Sequence, residues 1–144
     1  MLYTGKDFLI IDFEGEPTRP LSERAIKRSP LRDVAGMMRS FDYAAQAARL
    51  DLRGRTALRP TDDAMMRGWG RFFYGWASAV FLRAYLDAAH GAPFVPAARE
   101  DLEVLLGAFL LEKAMYEVGY ELNHRPSWVG IPLDGVFQIL DERR

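Results

Sequence analysis

We expect the rest of the chain to be organised around the segment Phe8-Leu9-Ile10-Ile11-Asp12-Phe13-Glu14-Gly15-Glu16-Pro17. Its four leading apolar residues, two of them β-branched, predict a short buried strand. Asp12 stands where that strand ends, and Pro17 interrupts the chain soon afterwards. A carboxylate presented by a rigid strand is well placed to hold a metal ion. A strand that simply enters a turn has the same pattern, so the residues alone leave both interpretations open.

A second strand precedes this one. Leu2 and Tyr3 are followed by the turn candidate Thr4-Gly5-Lys6-Asp7, which predicts a β-hairpin over residues 2–13. A lone hairpin is only marginally stable in water. We therefore expect helices from the rest of the chain to cover one of its faces.

Helical periodicity accounts for most of the remaining chain. Ser29 and Pro30 predict a helix start, as N-cap and first helical residue, and Gly54 predicts its end. Apolar residues recur along this helix at helical spacing, which indicates one buried face: Leu31, Val34, Met38, Phe41, Ala45, Ala48 and Leu52.

A second helix is predicted over residues 61–90, with Gly91 as its terminator. It carries an apolar stripe that we expect to be core: Met65, Trp69, Phe72, Phe73, Trp76, Val80 and Phe81. The competing interpretation is a surface on which a sugar ring stacks. Gly68, Gly70 and Gly75 predict close approach of a neighbouring backbone rather than a nucleotide-binding loop, because no strand precedes them.

The third helix, predicted over residues 97–124, has a stripe that changes character along its length. Leucines and a phenylalanine give way to charged and hydrogen-bonding side chains: Leu102, Leu105, Leu106, Phe109, Lys113, Tyr116, Glu117, Tyr120, Asn123 and His124. Charges are not buried without partners. The polar half is therefore either an internal network, with Lys113 paired to Glu117, or the wall of a sugar pocket. A final helix is predicted to open at Pro132.

Composition narrows the classes of function. The 144 residues carry a formal net charge of -1 and contain no cysteine. The charge balance gives no indication of nucleic-acid binding, and the lack of cysteine excludes disulfides and thiolate chemistry. We expect no membrane partner and a cytoplasmic location, because the sequence shows neither a leader after Met1 nor an apolar run of membrane-spanning length.

Three stretches resemble the bacterial maltokinases: residues 11–17 (IDFEGEP), 28–37 (RSPLRDVAGM) and 111–126 (LEKAMYEVGYELNHRP). Maltokinases are sugar kinases similar to the aminoglycoside phosphotransferases, and they are often fused to trehalose synthase or encoded beside it. The resemblance covers nearly all of the chain.

The resemblance implies one domain over residues 1–144, the C-terminal lobe of a protein-kinase-like fold. That lobe is mainly α with a short N-terminal β-hairpin. The hairpin would span residues 2–13, an activation-like segment residues 14–30, and the helical part residues 31–144.

The resemblance also implies residue roles. Asp12 would be the magnesium aspartate, while Glu14 stands where the kinase motif has glycine and its role is open. Asp33 would brace the catalytic loop. Basic residues of the activation-like segment would either lie near transferred phosphate or be solvated: Arg19, Arg24, Lys27 and Arg28. The resemblance favours the pocket interpretation of the third helix without identifying which side chains touch the sugar. From the polar half of that helix we propose four sugar-binding residues: Tyr116, Glu117, Tyr120 and Asn123.

For the complete protein, the resemblance implies transfer of phosphate from ATP to maltose with Mg²⁺, giving maltose 1-phosphate. The family's catalytic His-Gly-Asp motif and its ATP-binding lobe are expected upstream of Met1, so no catalytic residue is assigned within this chain. We therefore expect the isolated chain to be an inactive kinase fragment. The alternative is a non-catalytic helical interaction module that docks onto a trehalose synthase or a missing N-terminal kinase half.

Overall fold

The computed structural model describes residues 2–11, 20–55 and 59–141 of the chain. The elements follow in this order: β1 (Leu2–Tyr3), β2 (Phe8–Leu9), α1 (Leu21–Arg24), α2 (Leu31–Arg55), α3 (Pro60–Ala88), α4 (Arg99–His124), a 3-10 turn (Pro126–Trp128) and α5 (Gly130–Asp141). The predicted fold class is confirmed, since the described residues are mainly helical and include a short N-terminal antiparallel hairpin.

The hairpin pairs Leu2 with Leu9 and Tyr3 with Phe8. Its turn is closed by the Asp7 carbonyl, which accepts a hydrogen bond from the Thr4 amide at 2.8 Å. Gly5 has a φ of 92°, a conformation that glycine adopts without steric cost. The predicted turn is confirmed. The second strand ends at Leu9, and the last two residues of the predicted hairpin span lie outside the described residues.

The prediction of a buried strand is wrong. Phe8, Leu9, Ile10 and Ile11 are between 50% and 71% exposed. No helix in the described ranges packs against the hairpin. An apolar run has a tendency to be buried, but burial also needs a partner surface, and residues 20–55 and 59–141 do not supply one.

Helix α2 is the centre of the helical part, because it packs against α3, α4 and α5. Its predicted start is confirmed: the Ser29 hydroxyl accepts a hydrogen bond from the Leu31 amide at 3.3 Å. The core cluster draws on α2 and α4: Leu31, Val34, Ala35, Met38 and Leu106. The predicted apolar face of α2 is buried over its first turns, whereas Ala48 and Leu52 are exposed.

Helix α3 packs with the face opposite to the one predicted. Its buried side is formed by Asp63 and Ser78, with Phe81, Leu82 and Tyr85 packed against the core cluster. Six of the seven residues predicted as core are between 49% and 64% exposed, and we call these six the α3 stripe: Met65, Trp69, Phe72, Phe73, Trp76 and Val80. Helical spacing identifies an apolar face but does not show which face meets a neighbour.

The glycines of α3 differ from one another. A Cβ on Gly70 would lie 3.6 Å from the Cβ of Ala45 on α2, so close helix approach is confirmed there. Gly68 and Gly75 face open space, and the same prediction is wrong for them.

Helix α4 lies between α2 and α5 and contacts both. Helix α5 begins at Gly130, two residues before the predicted Pro132, and it buries Ile131, Pro132, Gly135 and Ile139. None of the helices within the described ranges combines the length and the apolar character needed to cross a membrane.

Candidate functional site

An open cavity of about 370 Å³ lies between α2 and α4. Helix α2 contributes Ser40 and Tyr43 to its wall, and Arg125, just after α4, also lines it. Helix α4 provides most of the wall: Lys113, Tyr116, Glu117, Tyr120 and Glu121. The cavity is thus formed by the polar half of α4, where the sequence analysis left a network and a pocket as alternatives.

Three of the four predicted sugar-binding residues lie together in this wall: Tyr116, Glu117 and Tyr120. Asn123 does not, because its side-chain amide donates to the Gly119 carbonyl of its own helix at 2.7 Å. The ring of Tyr120 stacks on His124 with centroids 4.3 Å apart. The ammonium group of Lys113 lies 4.8 Å from the centre of the Tyr116 ring.

Arg39 is the central cation behind the cavity and is only 2% exposed. Its Nη1 donates to Asp42 Oδ2 at 2.8 Å, and its Nε donates to Glu117 Oε2 at 2.9 Å. Burial lowers the pKa of Arg39, but the two carboxylates outweigh that effect and raise it above its ordinary value. A buried guanidinium persists only with such partners.

The guanidinium of Arg39 also lies directly against the backbone of α5. A Cβ on Gly135 would overlap it, at only 2.8 Å from Cζ. Glycine is needed here because no other residue lets the two groups approach so closely. Arg39 therefore connects three helices at one point.

Glu121 forms a second ion cluster and is 1% exposed. Its Oε1 accepts hydrogen bonds from the Tyr43 hydroxyl at 2.9 Å and from Arg125 Nη2 at 2.6 Å, while its Oε2 accepts from Arg125 Nε at 3.0 Å. The two-point contact holds the carboxylate in a fixed plane. The Arg125 guanidinium is itself placed over the Trp128 ring, 4.5 Å from its centre.

These contacts and burial raise the pKa values of three wall residues, Tyr43, Glu117 and Arg125. Burial, together with the hydrogen bond to Glu121, raises the pKa of the Tyr43 hydroxyl. Burial also raises the pKa of Glu117, and Arg39 and Lys113 offset this increase only in part. The hydrogen bond to Glu121 raises the pKa of Arg125.

The internal network and the sugar pocket, which were the two interpretations of the polar half of α4, therefore involve the same residues. Glu117 takes part in an internal ion network and also lines a cavity. Its buried partner is Arg39 of α2, from a distant part of the sequence. The wall also carries two cations and two carboxylates, Lys113, Arg125, Glu117 and Glu121, so its formal charges cancel.

Sequence reasoning missed six residues of this site: Arg39, Ser40, Asp42, Tyr43, Glu121 and Arg125. A local signal exists for two pairs, since Arg39 and Asp42 stand three residues apart and Glu121 and Arg125 stand four apart on their helix faces. No pattern of sequence spacing links the α2 residues to those of α4.

Of the other predicted site residues, those that the structure describes do not line this cavity. Asp12, Glu14 and Arg19 lie outside the described residues. Asp33 is exposed in the first turn of α2. Arg24 is half-buried, and Lys27 and Arg28 are exposed. Across residues 2–11, 20–55 and 59–141, histidine, aspartate and glutamate side chains nowhere gather in threes as a metal ion would require.

Comparison with known proteins identifies distant relatives. No family model matches this sequence. The chain is 29% identical to a protein named glucosamine kinase from Streptacidiphilus jiangxiensis, across 94% of this chain and 28% of that protein. It is 26% identical to a glucosamine kinase of Mycolicibacterium smegmatis, across 99% of this chain and 32% of the relative.

The chain thus spans less than a third of the length of the curated relatives it matches. Both relatives are named as kinases of a sugar, and both match over nearly all of the present sequence. The coarser part of the predicted resemblance is therefore supported, while the maltokinase assignment stays a prediction. The chain is a distant relative of sugar kinases.

Proposed function

We propose that this chain is the acceptor-binding part of an ATP-dependent sugar kinase, a single C-terminal lobe with the cavity between α2 and α4 as its sugar site. One observation carries the proposal. Tyr116, Glu117 and Tyr120, which the sequence pattern of α4 predicted as sugar-binding residues, line one cavity together with the buried Glu121. The distant relationship to sugar kinases supports it.

The chemistry of the wall suits a hydroxyl-rich ligand. Sugar hydroxyls both donate and accept hydrogen bonds, and the wall offers carboxylate acceptors, cationic donors and hydroxyl groups that do either. Glu117 and Glu121 are held by Arg39 and Arg125, so their oxygens are oriented before any ligand arrives. The volume of about 370 Å³ falls within the usual size of small-molecule sites.

Maltose is the proposed acceptor, with maltose 1-phosphate as product. The cancelling charges of the wall favour an uncharged sugar over an ammonium-bearing one, because each carboxylate already has an arginine partner. Glucosamine is the second candidate, since both named relatives are glucosamine kinases. Its amino group would have to compete with Arg39 for Glu117 or with Arg125 for Glu121.

ATP and Mg²⁺ complete the proposal. Phosphoryl transfer needs a metal ion, cations on the phosphates and a base that orients the acceptor hydroxyl. We assign the metal to Asp12 and transferred phosphate to the basic residues of the activation-like segment: Arg19, Arg24, Lys27 and Arg28. Asp33 would brace the catalytic loop, and the base and the nucleotide lobe are proposed to come from outside residues 1–144.

A docking role is the second candidate function. The hairpin favours it, because Phe8 on β2 and Ile10 just after it are well exposed and no described helix covers the hairpin. The proposed partners are an N-terminal kinase half or a trehalose synthase, with the complex in the cytoplasm. Adding a kinase half separates the two functions: recovery of maltose-dependent ATP consumption supports the kinase, and binding without turnover supports the docking module.

Sugar titrations of the 144-residue chain test the site itself. We expect saturable binding of maltose by calorimetry or ligand-observed NMR, weaker binding of glucosamine, and weakened maltose binding in Glu117→Gln and Tyr120→Phe. Glu103→Gln is the control, because Glu103 is exposed on the same helix and pairs with Arg99 at 2.7 Å, away from the cavity. Absence of saturation by either sugar would overturn the assignment of the cavity.

A further inference from the structure

The α3 stripe is an apolar surface on the face of α3 turned away from α2. At about 100° per residue its six members fall within an arc of about 100°, and they are between 49% and 64% exposed. Phe72 meets Trp69 and Trp76 edge-on, with ring centroids 5.8 Å and 6.3 Å apart. The rings support one another, so little side-chain freedom remains to be lost when a partner binds.

The sequence of the stripe is a near palindrome. Residues 69–76 read WGRFFYGW, so glycines and tryptophans repeat outward from a centre between Phe72 and Phe73. Met65 and Val80 extend the same symmetry. When two identical helices pack antiparallel about a two-fold axis, each residue contacts a residue of the other copy. That partner residue lies the same number of positions from the centre, on the opposite side of it in the sequence. A palindromic apolar stripe is the pattern that such a self-complementary surface requires.

The charges at the two ends of the stripe follow the same symmetry. Asp62 and Arg83 lie on the stripe's face at mirrored positions. Within the described part of the chain, each makes an ion pair with an exposed local partner, Arg59 at 2.9 Å for Asp62 and Asp87 at 3.9 Å for Arg83. An antiparallel pair of α3 helices brings Asp62 of one copy opposite Arg83 of the other at both ends. A parallel pair would instead place like charges together, so charge complementarity selects the antiparallel arrangement.

The exposed area of the α3 stripe is also of the order that a dimer interface needs. With 150–250 Å² for an aromatic side chain, the four exposed rings leave roughly 450 Å² uncovered, and Met65 and Val80 add to it. A stable interface buries about 800 Å² per partner, and the four rings supply more than half of that. We propose that the α3 stripe is a self-association surface on which a second copy of this chain packs its own α3 antiparallel, about a two-fold axis between Phe72 and Phe73.

Association of the full 144-residue chain is the first test. Sedimentation equilibrium from micromolar to near-millimolar concentration should show a monomer–dimer equilibrium. Phe72→Glu should weaken dimerisation by about tenfold or more. Phe137→Glu is the matched control, because Phe137 is 63% exposed on α5, and the same substitution there should leave the dimer intact. A chain that stays monomeric throughout, or equal loss in both variants, overturns the proposal.

The charge symmetry is tested by reversal. Asp62→Arg alone and Arg83→Asp alone should each weaken the dimer, because each places like charges opposite one another. The double variant should recover the association of the original chain, since the pair is then present in reversed order. Failure of the double variant to recover overturns the antiparallel arrangement.

Cross-linking tests the register. The chain has no cysteine, so Met65→Cys and Val80→Cys each introduce a single thiol on the surface of α3. In the proposed dimer, equivalent thiols of two identical variants stand about 22 Å apart along the helix, whereas position 65 of one copy faces position 80 of the other. A short bis-maleimide should join the two variants when mixed and neither variant alone. Efficient cross-linking of either variant by itself overturns the register.

Discussion

Arg39 on α2 donates through Nε to Glu117 on α4 at 2.9 Å, between residues 78 apart in the sequence. This ion pair joins the two helices that enclose the cavity and sets the position of the Glu117 carboxylate in the wall. Asp42 shares the same guanidinium, and Gly135 of α5 leaves room for it. The site is therefore coupled to the packing of three helices.

Loss of the buried cation should destabilise the protein strongly. Arg39→Met keeps much of the side-chain volume but leaves Asp42 and Glu117 without their shared partner, and removal of one member of a buried ion pair costs about 3–5 kcal/mol. Urea unfolding followed by circular dichroism measures the loss. Arg99→Met, at the exposed Arg99–Glu103 pair, is the control and should leave the unfolding free energy unchanged. Equal effects in the two variants would contradict the structural importance of Arg39.

Two glycine substitutions should have opposite effects on stability. Gly135→Ala forces a methyl group into the Arg39 guanidinium, and overpacking of this kind costs about 1–3 kcal/mol. Gly119→Ala, on α4 with open space around its Cβ position, should stabilise the helix by about 0.5–1 kcal/mol. Thermal and urea unfolding of both variants give the sign of each change in the free energy of unfolding. A stabilising effect of Gly135→Ala would be inconsistent with the close contact between Gly135 and Arg39.

The Tyr43 hydroxyl should make stability depend on alkaline pH. Its pKa is raised above the ordinary 10.0 by burial and by the bond to Glu121, so the folded state holds the proton more tightly than the unfolded state. The corresponding stabilisation is complete below about pH 10 and is lost progressively as the pH rises above that value. Urea midpoints measured from pH 8 upward should fall less steeply in Tyr43→Phe than in the original chain. Identical slopes would show that Tyr43 titrates normally.

The isolated 144-residue chain should not phosphorylate maltose. The proposal places the base and the nucleotide lobe outside it, and loss of a positioned base alone commonly costs about 10²–10⁴ in rate. A coupled assay with ATP, Mg²⁺ and maltose should show no maltose-dependent ADP release. Turnover that Asp12→Asn abolishes would mean that the chain is catalytically complete.

Magnesium binding by the isolated chain should be weak. Mg²⁺ sheds its water reluctantly and is usually held by one or two carboxylates together with substrate phosphates, and Asp12 is the single ligand assigned within residues 1–144. Calorimetric titration with MgCl₂ should show no tight stoichiometric site. A tight site that Asp12→Asn removes would indicate a fuller ligand set than the one proposed.

The sequence was sufficient to locate the four long helices α2 to α5 and the hairpin turn, but not the short helix α1. Ser29, Pro30 and Gly91 act through local backbone preferences, and these operate over a few residues wherever the chain lies in space. The polar half of α4 was also identified from the sequence alone, because charged residues that continue the spacing of an apolar stripe can be recognised without the tertiary structure. Tyr116, Glu117 and Tyr120 were found by this route.

Tertiary structure decided which surfaces meet. Periodicity showed that α3 has an apolar face, but only packing against α2 showed that the opposite face is the buried one and that Trp69 and Trp76 are exposed. Arg39 became the centre of the site in the same way, because a buried cation depends on carboxylates brought from another helix. Local propensity acts between neighbours in the chain, whereas burial and ion pairing act between neighbours in space.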